Sequence, residues 1–278
     1  GRGLCRYQRE CEGGEGDPEL CWDCKENRVG TIMEESIKCF SYSVSVAMAT
    51  YNGERFLSQQ LDSILVQLAD SDELIISDDG STDSTLRIIR EYQKKYKQIV
   101  LIDGPQKGYV FNFENAIKNC KNELIFLSDQ DDIWCFDKIS IVKQLFNKNE
   151  KQLLLMHNAK LIDKKGELLN KTLFEIRPPK KGYARNILSS YYFGCCMVFK
   201  KELKQYILPF PKTVPTHDQW ISNIAEKLKL TFSSQETLIM YRKHDNNKST
   251  KLTFFNKIRF RIYMLKSLYK QNKKYGGI

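Results

Sequence analysis

The stretch ELIFLSDQDDIWCFDK, residues 123–138, decides how the chain is read. Leu124 to Leu127 form an apolar run of the length and character of a buried strand. The run ends in Asp129, Asp131 and Asp132. Carboxylates repel one another, so crowding them at a strand end costs free energy unless something cationic offsets it. Asp132 could simply cap the helix that follows, but one cap does not use three carboxylates. The pattern instead suits a hard divalent cation, Mg²⁺ or Mn²⁺, held by oxygen ligands, with an anionic substrate completing the shell. On this reading Asp131 binds the metal, and Asp129 reaches the metal or a ribose hydroxyl.

Upstream of this strand the chain alternates strand and helix. YSVSVAMATYNGE, from Tyr42, places large apolar residues against small ones as a strand does. Phe56, Leu57, Gln60, Leu61, Ile64, Leu65 and Leu68 recur at helical spacing, with only Gln60 polar. ELIISDD is a second strand, followed by a helix that Asp83 or Thr82 can cap and whose apolar face carries Leu86, Ile89, Tyr92 and Tyr96. IVLID, VFNFENAIKNC and ELIFLSD continue the series as strand, helix and strand. Such alternation predicts an α/β fold, a mostly parallel sheet with helices on both faces. Ligands of these sheets bind beyond the carboxyl ends of the strands. The first, second and fourth strands end in TYN, SDDGSTD and SDQDD, so three polar strand ends are expected on one rim.

After a helix around Ile139 to Phe146 the pattern loosens. LLLMHNAKLIDKKGELL reads as two strands about a turn at Lys164, Lys165 and Gly166. RPPKKGY is a loop, YYFGCCMVFKKEL a strand leading into a short helix, and a proline-punctuated loop enters another helix near His217 and Asp218. Residues 1–40 lack apolar periodicity and are expected to be disordered, a leader or non-native extension, or sequence upstream of a start at Met33. Cys21 and Cys24 have C-x-x-C spacing, but Cys5 and Cys11 are spaced as in no common zinc module. Nine cysteines, with no apolar core of an export signal, read as reduced thiols of a cytoplasmic chain. Residues 41–250 form the expected main domain, and residues 251–278 a basic amphipathic helix. That last stretch carries Phe255, Ile258, Ile262, Leu265 and Tyr269 at helical spacing. Its eight basic residues come with no acidic one. It either packs on the sheet or lies on an anionic membrane surface on the inner face of the membrane. No apolar run is long enough to span a bilayer.

From Tyr42 to about Asn247 the chain resembles family 2 glycosyltransferases of the GT-A fold, in particular the rhamnosyltransferase-like branch. The resemblance rests on VSVAMATYNGERFLSQQLDSILVQ, DELIISDDGSTDST, SDQDDIW, GCCMVFKKEL, HDQW and YRKHDNN, in the family's order and at about its separations. It implies an inverting transferase that moves a sugar from a nucleotide-diphosphate donor, dTDP-rhamnose or a UDP-sugar, to a hydroxyl of a glycan or lipid-linked acceptor. By the same resemblance Thr50, Tyr51 and Asn52 line the nucleotide pocket. Asp78 or Asp79 accepts a hydrogen bond from a pyrimidine N3, and Asp129 and Asp131 stand at the family's DxD carboxylates. Asp218 matches the catalytic base, and His244 a late histidine at the metal or diphosphate. His157, on an apolar strand, reads as structural. Gly194 permits a close backbone approach or marks a bulge. Cys195 and Cys196 read as packing residues.

A net charge of +10, from 44 basic and 34 acidic residues, suits an anionic partner and raises a competing reading, a nucleic-acid-binding protein. Acidic strand ends would repel a phosphate chain, so no nucleic-acid partner is expected. A nucleotidyltransferase would be expected to carry a glycine- and base-rich loop after the first strand, where TYNGERF offers only Gly53 and Arg55.

Overall fold

The computed structural model describes residues 42–180, 182–244 and 254–274, with the side chains of residues 258 and 261–270 in the last stretch. The expectations for the N-terminal segment, its cysteines and Phe255 lie outside the described residues or side chains. The chain divides into two units, Gly1–Phe40 and Ser41–Ile278, and every described residue belongs to the second.

Four strands and three helices alternate first: β1 (Val44–Thr50), α1 (Leu57–Leu65), β2 (Glu73–Asp78), α2 (Thr85–Gln93), β3 (Ile99–Asp103), α3 (Tyr109–Asn119) and β4 (Leu124–Ser128). The strands pair in parallel in the order β3-β2-β1-β4. Every residue of β4 is buried, as a strand covered on both faces requires. Short β5 (Ile133–Trp134), α4 (Lys138–Lys148), β6 (Leu154–Ile162), β7 (Leu168–Thr172), α5 (Leu173–Ile176) and α6 (Tyr183–Leu188) follow. Then come β8 (Met197–Lys200), α7 (Lys204–Ile207), α8 (His217–Lys227), β9 (Thr231–Arg242) and α9 (Phe254–Lys274).

Beyond β4 the sheet continues β8-β6-β9-β5, with β7 on β6. Its pairings there are antiparallel except between β6 and β9. The parallel pairing read from the sequence is thus continuous through the first four strands, which helical crossovers join, and recurs only between β6 and β9. Strand β9 has no counterpart in the sequence reading: TFSSQETLIMYR is only half apolar, and its burial alternates irregularly.

Two buried amides tie the helices to the strand ends. Gln60 of α1 donates through Nε2 to Ser128 Oγ (2.8 Å) and to the Asp129 carbonyl (2.9 Å). Asn112 of α3 donates through Nδ2 to the carbonyls of Ser77 (2.8 Å) and Thr50 (3.1 Å). Each is a buried polar residue whose amide donates both hydrogens to groups at the strand ends. Neither Asp83 nor Thr82 caps α2: the residue before it is Ser84, which makes no side-chain cap, and Asp83 Oδ1 instead accepts from the Thr85 N–H (3.0 Å) and hydroxyl (2.5 Å) ahead of the helix.

Candidate active site

The ends of β1, β2 and β4 meet on one rim, cross-linked by side chains. Thr50, buried, donates through Oγ1 to Asp78 Oδ2 (2.7 Å), so its hydroxyl braces β2 rather than facing solvent. Asn52 sits at φ 48°, a left-handed turn that asparagine tolerates. Its N–H donates to Ser81 Oγ (2.9 Å), and its Oδ1 accepts from the Thr82 N–H (2.9 Å). Tyr51, half exposed, exchanges backbone hydrogen bonds with the amide of Gln130: N–H to Oε1 at 2.8 Å, and Nε2–H to the carbonyl at 3.1 Å.

The two carboxylates at the end of β2 divide their tasks. Asp78 accepts from the N–H groups of Gly80 (3.2 Å) and Ser81 (2.8 Å), from Ser81 Oγ (2.6 Å) and from Thr50. The turn is therefore built on Asp78. Asp79 accepts from the Gly108 N–H (2.8 Å) through Oδ2, while its buried Oδ1 meets no partner.

Around the DQDD turn the three carboxylates differ. Asp132 is buried and accepts from the Arg242 N–H (2.9 Å) through Oδ1; its Oδ2 has no partner. It does not cap α4, whose first residue is Lys138 and whose preceding position is Asp137. Asp131, part-buried, meets His244, Nε2 to Oδ2, at 2.7 Å. His244 packs on Phe56, ring centroids 5.2 Å apart. Asp129 lies between them in charge: burial first, then Asp131, Asp132 and Asp218, push its carboxyl well above the usual range. Burial and Asp131 push Asp132 up to about 7.

Two cations steady the cluster, Arg242, which the sequence reading took only as a loop neighbour of His244, and Lys138, to which it gave no role. Arg242, at the end of β9, is buried. Its Nε donates to the Asp131 carbonyl (2.9 Å), and its Nη2 to Gln59 Oε1 (2.9 Å). Lys138, fully buried, lies 4.0 Å from the Trp134 ring centroid and donates to the Cys195 carbonyl (3.3 Å). Burial lowers its pKa to about 8.

Asp218 occupies the first turn of α8, where Thr216 is the cap: Thr216 Oγ1 accepts from the Gln219 N–H (3.4 Å). Asp218 also accepts from that N–H, at 2.7 Å. The Tyr109 hydroxyl is pushed up to about 12 by burial and then by Asp218 and Asp129, so all three share one region of the rim. His217, buried, stacks on Phe113 with centroids 4.0 Å apart. A Cβ at position 194 would fall 2.4 Å from His217 Nε2, so Gly194 leaves room for that ring. Sequence reasoning used His217 only as a neighbour of Asp218; a histidine beside a proline-rich loop carries no signal of its stacking partners.

Ligand atoms of Asp129, Asp132 and Cys195 also lie within 4.8 Å of one another. A hydrogen bond with Cys196 and burial hold the Cys195 thiol well above its usual value. A protonated, soft sulfur is a poor partner for Mg²⁺ or Mn²⁺, which select oxygen. Asp131 and His244, the other metal ligands expected from the resemblance, do not belong to that group; Asp132 also anchors β9 through the Arg242 N–H. A polar cleft of about 550 Å³ lies at the opposite end of the strands, lined by Asp72, Glu73, Lys97 and Lys121. Its carboxylates are already engaged, Asp72 with the Val44 N–H (2.8 Å) and Glu73 with Ser45 Oγ (2.6 Å).

A mixed sheet with acidic strand ends at the rim of its parallel half is the GT-A arrangement of glycosyltransferases. Residues 45–207 match the family described as "Glycosyl transferase family 2", and the chain belongs to that family of glycosyltransferases. It is similar to the dTDP-rhamnosyl transferase RfbG of Shigella flexneri, 31% identical over 223 residues, covering 72% of each chain. An uncharacterized glycosyltransferase of Rickettsia typhi is 27% identical over 74% of this chain and 65% of its own. Among solved structures, S. aureus TarS 1-349 in complex with UDP-GlcNAc superposes with a TM-score of 0.62 at 18% identity, covering 80% of this chain and 66% of that one. The Pyrobaculum calidifontis mannosyltransferase PcManGT in complex with GDP-Man and Mn²⁺ gives 0.54 at 19% identity, over 84% and 65%. The nucleic-acid-binding alternative finds no support in these comparisons. Among the described residues no helix is long and apolar enough to cross a membrane.

Proposed function

We propose that the chain transfers a sugar, L-rhamnose first among the candidates, from a nucleotide-diphosphate donor to a hydroxyl of a glycan or lipid-linked acceptor, with inversion. The observation that carries this reading is the placing of Asp129 and Asp131 just beyond the carboxyl end of β4, where such sheets take ligands, with Asp218, in the first turn of α8, near enough to raise the Asp129 carboxyl. Likeness to a dTDP-rhamnosyl transferase supports the sugar and the thymidine nucleotide.

Each residue then has a role set by its surroundings. Asp79, with one buried carboxylate oxygen lacking a partner, accepts from the pyrimidine N3–H; Asp78, already bonded four times, holds the turn that presents it. Thr50 and Asn52 act through the backbone they brace, and Tyr51 offers its ring at the pocket mouth. Asp129 and Asp131, with His244 behind Asp131, hold Mg²⁺ or Mn²⁺. When bound, the cation neutralises charge on the departing diphosphate. Asp218 takes the proton of the acceptor hydroxyl as that oxygen attacks the anomeric carbon opposite the leaving group.

A panel of dTDP-rhamnose, UDP-N-acetylglucosamine and GDP-mannose, each with and without Mn²⁺, tests the reading by thermal stabilisation and donor hydrolysis. A bound donor raises stability by mass action. Stabilisation by a dTDP-sugar that requires the metal is expected. Absence of any nucleotide-sugar effect, with retention of nucleic acid, would overturn the assignment.

A further inference from the structure

Helix α9 divides its apolar residues between two faces. Met264, Ser267 and Leu268 are buried. Ser267 Oγ meets Thr213 Oγ1 at 3.3 Å, and Arg261 donates to the carbonyl of Leu188 at the end of α6. This face docks the helix on the domain. Ile258, Ile262, Leu265 and Tyr269 are instead exposed, by 37%, 46%, 48% and 61%. Their spacing of four, three and four residues confines them, at about 100° per residue, to an arc of roughly 60° on one side of the helix. Leu188, 61% exposed, stands beside Arg261. A helix that needed only to pack would carry one apolar stripe; this one carries a second that faces water.

The charge says what covers it. Residues 251–278 hold eight basic residues and no acidic one, and Lys266 and Lys270 are exposed on the same helix as the stripe. A second copy of the chain meeting this face in a two-fold contact would set these cations against their own equivalents. An anionic bilayer offers both complements, acyl chains for the stripe and headgroup charge for the lysines. We infer that the exposed face of α9, with Leu188, seats the protein on an anionic lipid surface. Docking itself does not depend on the transfer chemistry; under that reading it presents the rim to an acceptor carried in the membrane.

The test is sedimentation of the full chain with vesicles of phosphatidylcholine alone or of equal parts phosphatidylcholine and phosphatidylglycerol, without donor. Binding to the anionic vesicles is expected to exceed that to neutral ones by about tenfold or more and to weaken at high salt. Ile262→Ser with Leu265→Ser, both at exposed positions, should reduce it at least about tenfold while the melting temperature stays unchanged. Lys266→Glu with Lys270→Glu should reduce it too. Donor hydrolysis in solution should be equal in all variants, which keeps failure of docking distinct from failure of the transfer reading. No binding to anionic vesicles, or a dimer that Leu265→Ser dissolves in their place, would overturn the inference.

Discussion

The carboxylate of Asp131 meets His244 and that of Asp218 meets the Gln219 N–H, contacts that an asparagine can keep, so their chemical roles are separable by substitution. Asp218 is not the cap of its helix, since Thr216 is, so Asp218→Asn leaves the cap intact and removes only a charge near the helix N-terminus. That charge contributes about 0.3–1 kcal/mol there, a small stability effect. Loss of the proton acceptor should lower transfer at least ~10²-fold, with donor binding retained. Near-normal transfer in this variant would place the base elsewhere. Asp131→Asn keeps a side chain that can still meet His244 but withdraws the anionic oxygen. We expect the metal dependence of donor binding to disappear while the fold persists, measured as loss of Mn²⁺-dependent thermal stabilisation. Unchanged Mn²⁺ dependence would remove Asp131 from the ligand set.

At the scale of elements, the site is held by amides more than by charges. Gln60 joins α1 to the turn that carries Asp129, and removing its Nε2 leaves the Asp129 carbonyl and Ser128 short of a donor. Gln60→Ala is expected to cost about 1–3 kcal/mol in denaturant unfolding, and to weaken metal binding as the turn loosens. A variant as stable as the parent would show that the amide only fills space. Gln60 is visible in the sequence as the one polar residue on an apolar helix face; its partner is not. The first four strands and their helices are legible because apolar runs mark the strands and apolar residues at helical spacing mark the helices. Strand β9 is not, because its residues alternate between packing on β6 and facing solvent without a fixed rhythm. The burial of Arg242 and Lys138 escapes notice for a related reason: a lone cation in sequence gives no sign that the fold will bury it beneath a carboxylate cluster. The same omission gives Asp132 the wrong structural role, as a cap of α4 rather than the anchor of β9.

Across the whole molecule, buried groups of opposite sign set the response to acid. His217 is held down to about 4 by burial, and His157 well below its ordinary 6.5 by burial and then Lys138. Between about pH 5 and 6.5 the unfolded chain gains protons at both imidazoles that the fold refuses, so both erode stability as pH falls. Asp129 and Asp132 do the reverse: raised in the fold, they take up protons there before the unfolded carboxylates do, so both add stability as pH falls. The two effects oppose each other, so the stability of the metal-free protein should vary with pH less steeply than either pair alone would make it. His217→Gln removes one opposing proton. Whatever the variant loses in absolute stability, its slope should then differ from the parent's by up to ~1.4 kcal/mol per pH unit, in the direction of greater stability on acidification. Mn²⁺ should tilt both proteins the other way, because a bound cation keeps the carboxylates ionised and is shed as they protonate. Urea unfolding in a chelating buffer at several pH values measures the slopes. Identical slopes for parent and variant would mean that His217 titrates in the fold as it does in water.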